Sequence, residues 1–439
     1  MRDRSLATVS GARLESRDVV SDDRVPWSRG WLITSLLFCF MLVNYADRAV
    51  LGLAAEPVMR DFGLQPSQFG LIGSAFFFSY CGSGLLFGFL LDRFRTKYLL
   101  IGFAVIWSLA QFPMIFAGHF GVLLASRVLL GLGEGPAYAA ALHAVYRWFP
   151  DSRRAMPGAV ITQGSAAGVI FAAPLLSLVI VHFGWQSAFF VLGVVGILWA
   201  AVWAWFGADG PITSTITPAG EALARVPYRA LLLNPTVICT CLLVFAAYWA
   251  LAIMLVWFPN FLRAGLGFSP VQAGSWASLP WIVAVIVILG SGLASQSMTR
   301  RGFSSRAARV YLLCGLSIFG AICLAGVAYL SDPIAKLALA TVGIALPNAV
   351  FAPAQAIFGE ICPVRQRGAV LSISNAVAAT AGMLAPYATG LMVEKSSSAL
   401  AGYETAFVLA GAVVFVANVV GLVFIRPERQ VARLAARSA

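Results

Sequence analysis

Long apolar runs alternate with short polar breaks along the whole chain, and each run is close to the ~20 residues that a helix needs to cross a bilayer. Dividing the runs at charges, Pro and Gly predicts twelve spans. Six lie near 31–54, 67–91, 97–117, 121–147, 155–181 and 186–207, and six near 235–262, 270–295, 307–330, 335–358, 367–393 and 402–425. The breaks between spans are short, except for a polar stretch at the middle, 208–234. The pattern predicts an all-α integral membrane protein of twelve transmembrane helices. Its parts are a tail (1–30), a six-helix bundle (31–207), a linker (208–234), a second six-helix bundle (235–425) and a second tail (426–439).

Composition agrees: 60% of the 439 residues are hydrophobic and 11% charged, with a mean hydropathy of +0.86, whereas a soluble domain carries about 25% charged residues. A net charge of +12 would suit nucleic acid only if it gathered on one soluble face, and it does not. It sits in the breaks. With both termini in the cytoplasm, 24 of the 30 Lys and Arg fall on that side and four on the other, as the positive-inside rule requires. The first span follows the Arg-rich tail without a cleavage pattern, so a cleavable signal is not expected. Seven cysteines without regular spacing read as packing residues, and three scattered histidines make no metal constellation.

Four charged residues lie inside the apolar runs. Asp47 and Arg48 interrupt LLFCFMLVNYADRAVLGLAA, and Arg127 and Glu134 interrupt LLASRVLLGLGEGPAYAAAL. A charge at mid-membrane costs roughly 3 kcal/mol, so charges there mark a pathway for ions or charged solutes. Arg127 and Glu134, seven residues apart, point to one side with about 10.5 Å of rise between them, too far for a direct bond. Asp47 and Arg48 diverge by about 100° and must face different neighbours. The economical arrangement sets the first span against the fourth, with Asp47 near Arg127 and Arg48 open to a central cavity. Asn44 and Tyr45 share the Arg48 face. A carboxylate in a poorly hydrated cavity can take up a proton near neutral pH, and an arginine fork suits an anionic substrate. GLGEGP (131–136) lacks the spacing of a nucleotide-binding loop; its small residues let span four approach a neighbour.

The halves repeat. Gly88-FLL-Asp92-Arg93-F-Arg95-T-Lys97 after span two returns in faded form at Gly292 to Arg301 after span eight. Arg153-Arg154-AMP-Gly158-Ala159-Val160 after span four returns as Arg365-Q-Arg367-Gly368-Ala369-Val370 after span ten. A parallel repeat of this kind places a substrate site between the halves at mid-depth. Twelve spans, the 6+6 repeat and GFLLDRFRTK together resemble the major facilitator superfamily. NYADR in span one, RVLLGLGEG in span four, WFPDSRRA and WFPNFL resemble its anion:cation symporter group, which includes sugar-acid and aromatic-acid transporters. The loop has Arg95 where the family commonly has Gly.

The resemblance implies two pseudo-symmetric six-helix bundles, a monomer, and a place in the bacterial cytoplasmic membrane. It also implies proton-coupled symport of an organic anion, a sugar acid first, with the proton as coupling ion and no other cofactor or metal. Carried over residue by residue, Asp47 and Glu134 are the protonation sites, Arg48 receives the substrate carboxylate, and Arg127 is a charge partner that tunes Glu134. Tyr80 and Gln163 stand where sugar-acid members place substrate contacts. Tyr45 and Gln355 are added as candidates by position. Asn375 matches the Asn of a Gly-Asn pair, with Ser374 in place of the Gly. Gly88, Asp92 and Arg93 form the conformational-switch motif. No nucleophile–base or metal cluster suggests an enzyme. The rival readings are efflux of drugs or metabolites and anion exchange on the same fold. Efflux of cations calls for an acidic apolar pocket, whereas Arg48 and Arg127 favour anions.

Overall fold

A computed structural model describes residues 27–88, 93–116, 118–150, 153–212, 227–362 and 364–430. Twelve helices in it are long and apolar enough to cross a membrane. They are α1 (Trp27–Leu53), α2 (Pro66–Leu86), α3 (Thr96–Met114), α4 (Phe120–Tyr146), α5 (Ala155–Phe183), α6 (Trp185–Phe206), α7 (Pro235–Val256), α8 (Pro270–Arg300), α9 (Arg306–Tyr329), α10 (Pro333–Ile361), α11 (Gln366–Lys395) and α12 (Ala399–Phe424). Each falls on an expected span, with ends moved by a few residues. α1 starts at Trp27, inside the expected tail, where the Trp27 ring packs on Phe149. α8 is interrupted once, at 277–278 ahead of Pro280. Its second part runs on to Arg300, ending before Gly302, whose φ of 84° only glycine adopts freely. Most of the expected tails and linker, and Asp92, lie outside the described residues.

Two breaks follow the repeat. In α4 the helix stops at Glu134 and resumes at Ala137, across Gly135-Pro136. In α10 a tightened 3₁₀ turn, Leu346–Val350, occupies the equivalent place and contains Pro347. Proline removes a backbone donor and crowds the turn before it, so each half bends its fourth helix at the same depth. The ends of these helices also correspond. Arg154 Nε donates to the carbonyls of Tyr146 (3.0 Å) and Phe149 (2.9 Å) after α4, and Arg367 Nη2 donates to the Gly359 carbonyl at the end of α10. Arg154 and Arg367 are thus helix-end caps, holding carbonyls near the helix terminus.

Between the halves, α2 packs along α11, and α5 along α8. The cross-half contacts gather at the membrane face opposite the termini. There Glu56 pairs with Arg263 (2.8 Å), and the Ser67 amide donates to Glu394 (3.2 Å). Trp257, fully buried, donates to the Pro386 carbonyl (2.8 Å) and meets the Phe69 ring edge-on. Gly70 of α2 lies against the backbone of Pro386 and Tyr387, a gap that no side chain could share. The bundle is latched at that end.

Candidate functional site

The four intramembrane charges come together inside the first bundle, where α1 meets α3 and α4. All are buried: Asp47 and Glu134 fully, Arg127 to within 1%, and Arg48 with 7% of its surface exposed. Their placement follows from small residues in α4. Gly131 and Gly135 lie against Phe76, Ser79, Tyr80 and Ser83 of α2, while Gly133 lies against Phe103 and Trp107 of α3. The alternation seats α4 between two helices. Glu134, between Gly133 and Gly135, is left pointing at α1.

Arg48 Nε donates to Glu134 Oε2 at 2.7 Å, and Nη2 donates to Asn44 Oδ1 at 2.9 Å. Three rings enclose the guanidinium, with Cζ 4.4 Å from the centroid of Tyr45, 4.7 Å from Tyr80 and 5.4 Å from Phe76. Such contacts favour a desolvated cation. Both tyrosines reach the other half: Tyr45 stands edge-on to Trp281 of α8, and Tyr80 lies close to Tyr248 of α7. Tyr248 in turn packs on Phe77 and Phe351. The arginine therefore sits at the junction of the two bundles.

Asp47 turns the other way, as its position beside Arg48 requires. It does not touch Arg127 directly. Gln111 of α3 lies between them: its Nε2 donates to Asp47 Oδ1 (2.6 Å) and its Oε1 accepts from Arg127 Nη2 (2.7 Å). Arg127 also stands over the Phe189 ring, 5.2 Å from its centroid. The expected geometry is corrected in two respects. Arg48 is not open to a cavity but held by Glu134. Arg127 is joined to Asp47 through Gln111, with Ser126 Oγ as a second, longer contact (3.4 Å), rather than standing beside the acid. The reason is α3, which inserts between α1 and the first part of α4 and supplies an amide between Asp47 and Arg127.

Tyr45 and Tyr80 are thus brought to Arg48. Gln163 is half-buried on α5, and Gln355 on α10 and Asn375 on α11 are exposed; none of these three makes a side-chain hydrogen bond among the described residues. Asn348 donates to the Ile344 and Ala345 carbonyls and is occupied in its own helix. Of the switch motif, Gly88 stands two residues past Leu86, at the end of the helix that begins at Pro66, and Arg93 is exposed. Beside them, Asp209 accepts from Arg95 (3.3 Å) and from the Lys97 amide (3.1 Å), tying the start of the linker to the start of α3. The carboxylates of the second half lie at helix ends. Glu360 is paired with Arg309 and Glu404 with Lys336. Sequence reasoning missed Gln111 and Phe76. A census of neutral polar residues inside spans would have found Gln111, but Phe76 sits in the run FFFSY, where no period picks out one ring.

Comparison with known proteins gives a consistent picture. A family model described as the Major Facilitator Superfamily matches residues 37–347 and 302–439. The chain is 30% identical over 405 residues to a hexuronate transporter of Bacillus subtilis (strain 168), covering 89% of this chain and 94% of that protein. It is 28% identical over 424 residues to a D-galactonate transporter of Escherichia coli O6:H1, covering 91% and 97%. In fold it is similar to a bacterial homologue of the human lysosomal transporter Spinster, crystallised inward-facing and occupied. That match has a TM-score of 0.78 and 17% identity, over 92% of this chain and 98% of that one.

Proposed function

This chain belongs to the Major Facilitator Superfamily, and from that premise we propose that it carries a small organic anion, a sugar acid before other carboxylates, into the cell together with protons. The setting is the cytoplasmic membrane of a bacterium, with both termini inside, a monomeric carrier, and alternating access between the two bundles. One observation carries this reading. A buried arginine stands where the bundles meet, held by one carboxylate and flanked by aromatic rings. Among the described residues Arg48 Nη1 has no hydrogen-bond partner, so the fork still has an edge to offer. A proton on Glu134 cancels the charge that holds Arg48, and the guanidinium is then free to take the substrate carboxylate in a bidentate grip. Asp47 is the second protonation site. Tyr45, Tyr80 and Gln163 contact the substrate from one bundle, and Gln355 and Asn375 from the other. The switch motif of Gly88, Asp92 and Arg93 acts at the cytoplasmic mouth. The hexuronate and D-galactonate named for two relatives support a sugar acid as cargo.

Uptake of labelled D-glucuronate and D-galactonate into proteoliposomes with an imposed proton gradient tests the reading. Glu134→Gln is expected to abolish accumulation against a gradient while leaving exchange of substrate across the membrane. Normal accumulation by that variant would remove Glu134 from the coupling step. Ligands that bind the folded state raise its melting temperature. Stabilisation by cationic drugs alone, unchanged in Arg48→Ala, would replace import of an anion with efflux.

A further inference from the structure

The two acids of the site are held differently. Glu134 meets its arginine directly, at 2.7 Å, whereas Asp47 is joined to Arg127 only through the Gln111 amide. The orientation of that amide is fixed by chemistry. Arginine has no acceptor, so Gln111 must turn Oε1 to Arg127 and Nε2 to Asp47. Gln111 is fully buried, and the register of α3 against α4 holds it there. Ser126 Oγ donates to the Ala110 carbonyl at 2.6 Å, one residue from each partner. With Oδ1 engaged, Asp47 Oδ2 is buried and has no hydrogen-bond partner among the described residues. The charged groups that bear on Asp47 are Glu134 and Arg127 of α4 and Arg48 of its own helix.

We propose that Gln111 is a positioning residue for Asp47: its amide engages Oδ1, leaves Oδ2 as the atom that takes the proton, and keeps the Arg127 guanidinium from closing on the acid. This rests on the reading of Asp47 as a protonation site. A carboxylate gripped bidentately by the arginine fork would give up both oxygens to it. One gripped through a single oxygen, as Glu134 is by Arg48, would still have the full guanidinium charge against it. The amide instead passes on a dipole. It donates to Oδ1 more strongly when Asp47 is charged, but it still has Oδ1 to donate to when the proton is on Oδ2, so the network survives both states without rearrangement of the helices.

Infrared difference spectra of the full chain in lipid, recorded between about pH 4 and about pH 10 to bracket carboxyl titration, test the inference without any substrate. The protonated Asp47 carbonyl band is the one lost in Asp47→Asn. In Gln111→Met, which keeps the length and removes the donor, that band is expected at higher wavenumber, because the Oδ1 carbonyl has lost its hydrogen bond. Gln111→Asn, one methylene too short to reach both partners, is expected to shift it likewise. A band unmoved in both variants overturns the proposal and leaves Asp47 as a proton site. The absence of any Asp47-dependent band in the unsubstituted protein overturns the underlying reading and the proposal with it. Should the Gln111 variants fail to fold, Arg127→Met leaves the amide in place without its anchor. It is expected to broaden the band, and a band as narrow as the original counts against the proposal.

Discussion

The Arg48–Glu134 contact allows a quantitative test of how the site is held together. The perturbation is a double-mutant cycle with Arg48→Met, Glu134→Met and the two combined, methionine being chosen because it fills the space of either side chain without charge. The bond is 2.7 Å long, with the two side chains 5% and 0% exposed. Each single substitution therefore leaves an uncompensated charge away from water, a loss of about 3–5 kcal/mol. The combined variant removes both charges together, and apolar replacement of a buried pair is commonly neutral or stabilising, so its loss is expected to be about 1 kcal/mol or less. The interaction energy then comes to at least about 5 kcal/mol by the definition of the cycle. Reversible unfolding in mixed micelles, titrated with a denaturing detergent, reads all four stabilities. Interhelical hydrogen bonds in membranes average only about 0.6 kcal/mol and reach about 1.7. An interaction energy in that lower range would refute the reasoning, for it would mean that water or another group compensates the orphaned charge.

Two further outcomes follow from the packing. Gly131→Val puts branched carbons against Ser79 and the Phe76 carbonyl, where overpacking costs about 1–3 kcal/mol; a lower melting temperature is expected, and an unchanged one would show that α2 and α4 are not in contact there. Glu56→Arg sets like charges together at the latch. Because that pair is partly exposed, the effect is at most about 1 kcal/mol, or about fivefold in the open population. Labelling of Phe69→Cys by an impermeant thiol reagent should rise accordingly and fall back when Arg263→Glu restores the pair.

The twelve helices were legible in the sequence because a bilayer permits little else, and the repeat was legible because its arginines cap equivalent helix ends. The four charges stood out for the same reason, since hydrocarbon makes every one expensive. Their pairing was less accessible. Spacing placed Arg127 and Glu134 on one side of α4, and they do share that side, but it could not say that α3 inserts an amide beside one and not the other. Gln111 carries no charge and interrupts its apolar run only once, so periodicity passes over it. The ring enclosure of Arg48 draws on α1 and α2 together, and contacts of that order belong to packing rather than to local pattern. Gly131, Gly133 and Gly135 were read as permitting close approach, and the structure adds that they face two neighbours in alternation.

The buried charges also have an electrical consequence. Two carboxylates and two guanidiniums sum to zero, so the empty site can reorient without moving charge across the bilayer. If Asp47 and Glu134 each take a proton and Arg48 takes a monovalent acid, the loaded site carries one positive charge. Membrane voltage would then act on the loaded crossing and not on the return. Moving one charge through 100 mV is worth about 2.3 kcal/mol, which corresponds to nearly two factors of ten in the concentration ratio that the carrier could sustain. A divalent acid would cancel that charge, and its uptake would follow the pH difference alone.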